Sequence, residues 1–167
     1  MNTVQHTPPI HIAPLADHVE LLPVLADWLY REWGHLEPLS TREWVESRLA
    51  ERTNRVTVPI CFVALAEQSL VGTVSIKLRE MEMYPQLRYW IGSLLVAPPW
   101  RRRGIGSALM HHACEWASGQ TDTVHLYTTE TQGFYETLGW STIATPHYRG
   151  ETVTVMHKQL GAVDGRY

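Results

Sequence analysis

The chain has 167 residues, which fits one domain with one sizeable hydrophobic core. Its formal net charge of −3 gives no general attraction to nucleic acid or to an anionic membrane, whereas the adjacent Arg101, Arg102 and Arg103 favour a small anionic ligand. Two cysteines, no evident signal peptide and no apolar run near the roughly 20 residues that span a bilayer predict a cytoplasmic protein.

Apolar periodicity and turn residues predict eleven helices and strands. In chain order they are a strand at 10–13, helices at 17–30 and 40–52, strands at 59–66, 70–78 and 89–96, a helix at 104–118, a strand at 123–127, a helix at 131–138, and strands at 140–144 and 152–157. A hairpin series followed by strand–helix–strand predicts an α+β fold, with a mixed sheet and helices on its faces. Residues 10–160 would form the domain, between tails at 1–9 and 161–167.

Several of these elements have recognisable ends. Asp17 is the predicted N-cap of the first helix. Ser40-Thr41-Arg42-Glu43 has the spacing of a capping box ahead of the second. Residues 67–69 make a tight turn between the hairpin strands, and Gly139 closes the last helix. The second helix is expected to bury Trp44, Val45 and Leu49.

The segment 94–107 carries the strongest functional pattern. An apolar strand enters a basic turn with Gly104 and Gly106, and the turn opens directly into an amphipathic helix. The unpaired N–H groups at a helix N-terminus bind phosphate, and glycine lets the anion approach the backbone. The alternative is a charged turn in which the glycines serve chain geometry only. The Walker-type and Gly-x-Gly-x-x-Gly nucleotide patterns are absent.

These residues resemble the GNAT superfamily of N-acetyltransferases. Arg101-Arg102-Arg103-Gly104-Ile105-Gly106 matches the family's Gln/Arg-x-x-Gly-x-Gly/Ala motif, and Val96-Ala97-Pro98 resembles its Val-x-Pro. Downstream, the residues from Gly133 to Trp140 resemble its Phe-Tyr-x-x-Leu-Gly-Phe signature. The resemblance implies a mostly antiparallel central sheet of six to seven strands with helices on both faces, and acetyl-coenzyme A as cosubstrate.

The resemblance also implies roles for individual residues. Backbone amides from about Arg102 to Ser107 would hold the pyrophosphate, and Leu94 and Val96 would pair with the pantetheine arm. A β-bulge there would point an amide at the thioester carbonyl, and Tyr135 would protonate the departing thiolate. The alternative for Tyr135 is packing, but Phe134 and Leu138 already form an apolar pair on the short helix. The complete coenzyme-binding set is Leu94, Leu95, Val96, Arg101, Arg102, Arg103, Gly104, Ile105, Gly106, Ser107, Thr128, Thr131 and Phe134.

The sequence departs from the family pattern at two places. Thr128 stands where many relatives have an asparagine that contacts the coenzyme. Many relatives also place a glutamate on the fourth strand as a general base, but Trp90-Ile91-Gly92-Ser93 supplies no carboxylate. Glu130 and His125 are the remaining candidates for this base, each with a structural alternative.

The resemblance also implies that residues 33–39 and 79–88 border the acceptor side. Glu80 and Glu82 would attract a cationic acceptor, although either can be a solvated loop charge. The acceptor-contacting set is Trp33, Glu80, Glu82, Tyr84, Trp90 and Glu130. No metal is expected, because the adjacent His111 and His112 face different directions on a helix, His112 packed and His111 exposed.

The predicted function is transfer of an acetyl group from acetyl-coenzyme A to a primary amine, by direct attack in a ternary complex. Neither cysteine lies in a motif, which fits the lack of a covalent step. The alternatives are a non-catalytic acetyl-coenzyme A sensor or partner subunit, and a nucleotide-phosphate protein of another kind. The expected partners are the coenzyme and an amine, without nucleic acid or membrane, in a monomer or homodimer.

Overall fold

The computed structural model describes residues 7–37 and 39–161, which form nine strands and four α-helices. The strands are β1 (Ile10–Pro14), β2 (Ile60–Ala66), β3 (Ser69–Lys77), β4 (Trp90–Val96), β5 (Thr123–Thr128), β6 (Ser141–Ala144), β7 (His147–Tyr148), β8 (Glu151–Thr152) and β9 (Thr154–Gln159). The helices are α1 (Leu22–Trp33), α2 (Arg42–Ala50), α3 (Ile105–Ser118) and α4 (Gln132–Thr137).

Seven of the strands form one sheet in the order β1-β2-β3-β4-β5-β9-β6. Every neighbouring pair is antiparallel except β4 and β5. The parallel pair is joined through α3, as parallel strands require a crossover connection. The mixed, mostly antiparallel sheet of six to seven strands is therefore confirmed.

Each face of the sheet is covered by helices, which makes two main cores. On one face α3 packs over β2 and β3, and its buried Ile105, Leu109 and Ala113 join Phe62 and Ile76 in one cluster. On the other face α1 and α2 cover the side chains that alternate with these. Because successive strand residues point to opposite faces, that second cluster holds Cys61, Val63 and Leu65 together with Leu25 and Leu49.

The structure corrects how the first two helices begin. Asp17 is not the N-cap of α1, because a 3-10 turn occupies residues 15–17 and the Asp17 carboxylate pairs with Arg55 at 2.7 Å. Thr41, not Ser40, caps α2 by accepting a hydrogen bond from the Trp44 amide. The prediction that Trp44 is buried is wrong, because its side chain is 47% exposed. Only one side of this short helix meets the sheet, and Trp44 lies on another side. Leu49 is fully buried as expected.

The last third of the chain contains a small ribbon that the sequence pattern did not predict. Strands β7 and β8 pair across the two-residue turn Arg149-Gly150, both with positive φ. The strand predicted at 152–157 corresponds to β9, which begins and ends two residues later. The strand predicted at 140–144 corresponds to β6, which begins one residue later. The hairpin turn is confirmed in shorter form, because Glu67 and Gln68 alone connect β2 to β3.

Most of the two predicted tails, 1–9 and 161–167, lies outside the described residues. The structure describes only residues 7–9 and 161 of these tails. Within the described ranges, no helix combines the length and apolar character needed to cross a membrane.

Candidate active site

Helix α3 begins at the glycine loop with an exposed N-terminus. Gly104 is the N-cap residue at φ +79°, a left-handed conformation that glycine adopts without strain. The first helical hydrogen bond runs from the Ala108 amide to the Gly104 carbonyl. The amides of Ile105, Gly106 and Ser107 therefore precede the helical ladder and are oriented along the helix axis towards its start. A side chain added at Gly104 would meet no atom within 4 Å, so the space in front of these amides is open.

The second glycine of the loop brings three predicted site residues together. A Cβ on Gly106 would lie 3.6 Å from Cζ of Phe134 and 3.9 Å from Cγ2 of Val96. The end of β4, the start of α3 and the start of α4 thus converge at this glycine. A ligand phosphate at the α3 N-terminus would lie beside an apolar surface formed by Val96 and Phe134.

Two of the three consecutive arginines are engaged by neighbouring groups. Arg101 donates from Nε to the Val96 carbonyl at 3.0 Å, and the Arg103 guanidinium lies over the Trp100 ring, 4.9 Å from its centroid. All three side chains are exposed beside the loop. They surround the helix N-terminus with positive charge, which adds to its own partial charge.

Strand β4 separates from β5 directly after their first contact. The register of the pair in the described chain consists of Trp90 opposite His125 alone. On its other edge β4 stays paired with β3 up to Val96. The edge of β4 that faces β5 is therefore open beyond Trp90, and an extended ligand can add to it as a strand.

The predicted β-bulge is present in the open part of β4. Ser75 of β3 lies opposite Gly92, and Thr73 lies opposite Leu95, so β4 has one residue more than β3 between these pairs. Ser93 sits within this insertion at φ +53°. A bulge turns a backbone group out of the ladder, and here it does so where β4 leaves β5.

Tyr135 lies at the same end of the sheet, on α4. Its ring contacts Phe134 and Trp140 at centroid distances of 5.1 Å and 6.4 Å, and it packs against the α3-side core together with Leu138. The Phe134–Leu138 pair suggested that Tyr135 takes no part in packing. The structure corrects this expectation, because Tyr135 packs against the core as well. Burial raises the pKa of the Tyr135 hydroxyl, and a hydrogen bond with Thr131 opposes this shift.

Thr128 and Thr131 link this tyrosine to the end of β5. Their hydroxyl oxygens are 2.7 Å apart, and the Thr131 amide donates to Thr128 Oγ1 at 3.3 Å. Gly139 at φ +89° ends α4, with the Trp140 amide bonded to the Tyr135 carbonyl. This closure fixes the orientation of the short helix that carries Tyr135.

The comparisons with known proteins decide the family. Residues 21–140 match the model of the "Acetyltransferase (GNAT) family". The chain belongs to this family. It is an acetyl-coenzyme A-dependent N-acetyltransferase, so the predicted enzyme class and cosubstrate are confirmed. No curated protein matched the chain.

Solved structures share the fold over nearly the whole chain at low identity. An aminoglycoside 6'-N-acetyltransferase complexed with coenzyme A is 20% identical with a TM-score of 0.71, covering 93% of this chain and 99% of its own. An aminoglycoside 6'-acetyltransferase type Ii is 22% identical with a TM-score of 0.69, covering 90% and 97%. A GNAT acetyltransferase from Streptococcus pneumoniae is 20% identical with a TM-score of 0.67, covering 92% and 100%.

The predicted acceptor residues of this GNAT enzyme lie in different environments. Trp90 is 1% exposed, and its indole N–H donates to the Leu87 carbonyl, so Trp90 is a core residue and not the wall of a cleft. Tyr84 and Trp33 are partly buried against core clusters. Glu82 and Glu130 are exposed.

Glu80 does not offer a free negative charge to a cationic acceptor. Its carboxylate forms an ion pair with Lys77, and both side chains are only 20% exposed. A second ion pair, between Arg149 of the β7–β8 ribbon and Glu37 after α1, measures 2.5 Å. Of the three carboxylates that the sequence placed on the acceptor side, Glu80 is thus neutralised by a basic neighbour, whereas Glu82 and Glu130 are exposed.

A partly buried polar group on the α1/α2 face of the sheet has no counterpart in the predictions from sequence. Arg52, just after α2, donates from Nη1 to Ser75 Oγ at 3.1 Å and to Ser93 Oγ at 3.4 Å. Beside it, the Cys61 thiol lies 3.2 Å from the Thr73 hydroxyl. The sequence held one signal, a run of small polar residues facing one side of β3, but no pattern that linked it to Arg52.

The candidate base His125 is neutral near pH 7 and held by the backbone. It is 7% exposed, and Nδ1 is 2.7 Å from the Arg88 carbonyl. Burial lowers the pKa of its imidazole. His112 packs edge-on against Phe62 at 4.7 Å, while His111 is exposed, both as predicted. Across residues 7–37 and 39–161, no three metal-ligating side chains come together.

Proposed function

We propose that this GNAT enzyme transfers the acetyl group to a primary amine by direct attack within a ternary complex. One observation carries the proposal: the bulge at Ser93 lies where β4 leaves β5, on the strand that leads to the open α3 N-terminus. A ligand that follows the open edge of β4 would therefore have phosphates at the helix and a thioester at the bulge.

The glycine loop and β4 supply the proposed binding groups. The amides of Ile105, Gly106 and Ser107 would hold the pyrophosphate, with the arginines adding charge-assisted contacts. Leu94 and Val96 would pair with the amide groups of the pantetheine arm. The Arg101 side chain, which now donates to the Val96 carbonyl, would have to leave that carbonyl for the pairing to extend so far.

The bulge and Tyr135 supply the proposed chemistry. A backbone N–H at the bulge would donate to the thioester oxygen as negative charge develops there. The amine nitrogen forms the new C–N bond and loses a proton to solvent, and the C–S bond breaks. The Tyr135 hydroxyl would protonate the sulfur, and its raised pKa keeps it protonated at neutral pH.

The chemistry needs no cysteine, and the structure supports this view. Cys61 packs on the α1/α2 face of the sheet and Cys114 on the α3 face, both buried. Burial raises the pKa of both thiols, which leaves them poor nucleophiles. Because these two cysteines are free and on opposite faces, we propose that the enzyme acts in the reducing cytoplasm.

A panel of primary amines tests the proposal. Purified protein is incubated with acetyl-coenzyme A and each amine, thiol release is followed over time, and the acetylated product is identified by mass spectrometry. We expect release that depends on both amine and enzyme, with no acetyl group left on the protein. Tight coenzyme binding without release from any amine would instead favour a sensor or partner subunit. An acetylated enzyme that forms without amine would contradict direct attack.

A further inference from the structure

A positively charged group lies beside the β4 bulge, on the face of the sheet that α1 and α2 cover. The Arg52 guanidinium contacts the hydroxyls of Ser75 and Ser93, and Ser93 is the residue of the β4 bulge. Arg52 is therefore one hydrogen bond away from the strand insertion that the proposed function assigns to the thioester. Both of its hydrogen-bond partners on the sheet are neutral hydroxyl groups.

No acid forms an ion pair with Arg52 within the described part of the chain. The two carboxylates that act on its charge, Glu80 and Glu51, are themselves paired with Lys77 and Arg48. The Cys61 thiol beside Arg52 stays protonated because burial raises its pKa. Burial also lowers the pKa of the Arg52 guanidinium, which nonetheless remains protonated at neutral pH. A partly desolvated guanidinium whose hydrogen-bond partners are neutral hydroxyls can bind a carboxylate through charge-assisted hydrogen bonds.

The geometry leaves one edge of the guanidinium available. In residues 7–37 and 39–161, the hydrogen bonds of the Arg52 side chain run through Nη1 only. Its Nε–H and Nη2–H donors form the edge that binds a carboxylate through two parallel hydrogen bonds. Ser75 and Ser93 hold the group in place, so little side-chain entropy is lost when an anion binds.

We propose that Arg52 binds a carboxylate of the acceptor, so that the substrate is an amino acid or a similar amine with a carboxylate a short spacer away. This inference rests on the proposed function, because it needs the acceptor amine at the β4 bulge. The spacer must be short because the guanidinium contacts the bulge residue itself. Glu80 does not oppose the carboxylate, since Lys77 neutralises it.

Matched acceptors and matched variants test the assignment. Several α-amino acids are compared with their α-amino amides by thiol release. Each rate is divided by the fraction of neutral amine, because the carboxylate raises the pKa of the neighbouring ammonium and the amide does not. We expect kcat/KM to be at least about tenfold higher for the acids, as a charge-assisted bidentate contact allows. Arg52→Gln should lower kcat/KM for the acids to the value for the amides, mainly by raising KM. The kcat/KM for the amides should be nearly unchanged. Arg52→Lys should restore part of the preference.

Arg48→Gln is the control, because Arg48 lies on the helix that precedes Arg52, is exposed and pairs with Glu51. It should keep the full preference for acids. Equal rates with acids and amides in the wild type, or a preference for amides or diamines, would overturn the inference. So would an acid preference that survives in a folded Arg52→Gln protein. A purely structural Arg52 would lower thermal stability and both acceptors' rates alike.

A binding measurement separates this inference from the proposed function. Calorimetry with the coenzyme A-loaded protein compares an N-acetyl amino acid with its N-acetyl amide. Tighter binding of the acid in the wild type, lost in Arg52→Gln, supports the carboxylate site even if no amine yields thiol release. Release from amines together with equal binding of acid and amide would refute the site and leave the proposed function standing.

Discussion

Replacing Gly104 tests whether phosphates bind at the start of α3. Gly104→Asp places a negative charge at the N-cap, and Gly104→Asn places a side chain of the same shape without charge. Both residues tolerate a φ of +79° better than other side chains, and both enter open space. Each variant should therefore lose a similar amount of stability, about 1 kcal/mol relative to glycine. Any difference in coenzyme affinity between them is electrostatic.

The expected difference follows from Coulomb's law. A carboxylate roughly 5 Å from one phosphate charge costs about 1 kcal/mol in bulk water and about 3 kcal/mol at an effective dielectric of 20. The loop is exposed, so a value between these limits applies, and Gly104→Asp should bind acetyl-coenzyme A roughly 5- to 150-fold more weakly than Gly104→Asn. The difference in coenzyme affinity between the two variants should become smaller as salt is added, because ions screen the charges. Calorimetry measures both affinities, and thermal unfolding confirms that both variants are folded. Equal affinities at low salt would show that no phosphate lies near this helix end.

Three further predictions follow from the geometry. Tyr135→Phe should lower kcat roughly 10- to 100-fold with unchanged coenzyme affinity, and normal turnover would remove this residue as the acid. Leu49→Ala should lower the free energy of unfolding by about 2–4 kcal/mol, whereas Trp44→Ser should change it by less than about 1 kcal/mol, in urea titrations. Because burial lowers the pKa of His125 in the folded state, the unfolded state binds its proton more readily, so stability should fall as the pH drops below about 6.5. His125→Gln should reduce this loss between pH 7.5 and 5, and an identical pH dependence would refute the assignment.

Local features of this chain were predictable because they depend on short stretches of sequence. The glycine loop, its helix and the Gly139 closure each follow from residues within one or two turns of one another. Trp44 was misplaced because helical spacing alone does not tell which side of a nine-residue helix meets the sheet. The β7–β8 ribbon was not predicted, because each of its strands has only two residues and so shows no alternation of apolar and polar side chains.

Arg52 illustrates what sequence patterns leave open. Its contact with Ser93 joins residues 41 positions apart, and it exists only because β3 and β4 pair in a register that contains the bulge. No periodicity in either segment encodes that register. The sequence shows that β4 carries no carboxylate, but it does not show that the Arg52 guanidinium lies beside this strand.

Ser93 connects the backbone geometry to the missing base. Its φ of +53° is unfavourable for large branched side chains, and its hydroxyl accepts from Arg52. A cation beside an ammonium lowers the pKa of that ammonium, because the two positive charges repel. If Arg52 holds the acceptor's carboxylate, this repulsion offsets the stabilisation that the carboxylate gives to the substrate's own ammonium. The fraction of neutral amine at pH 7 then rises, which is the task that a carboxylate on β4 performs through water in many relatives. The guanidinium would then serve binding and activation at once, without accepting a proton.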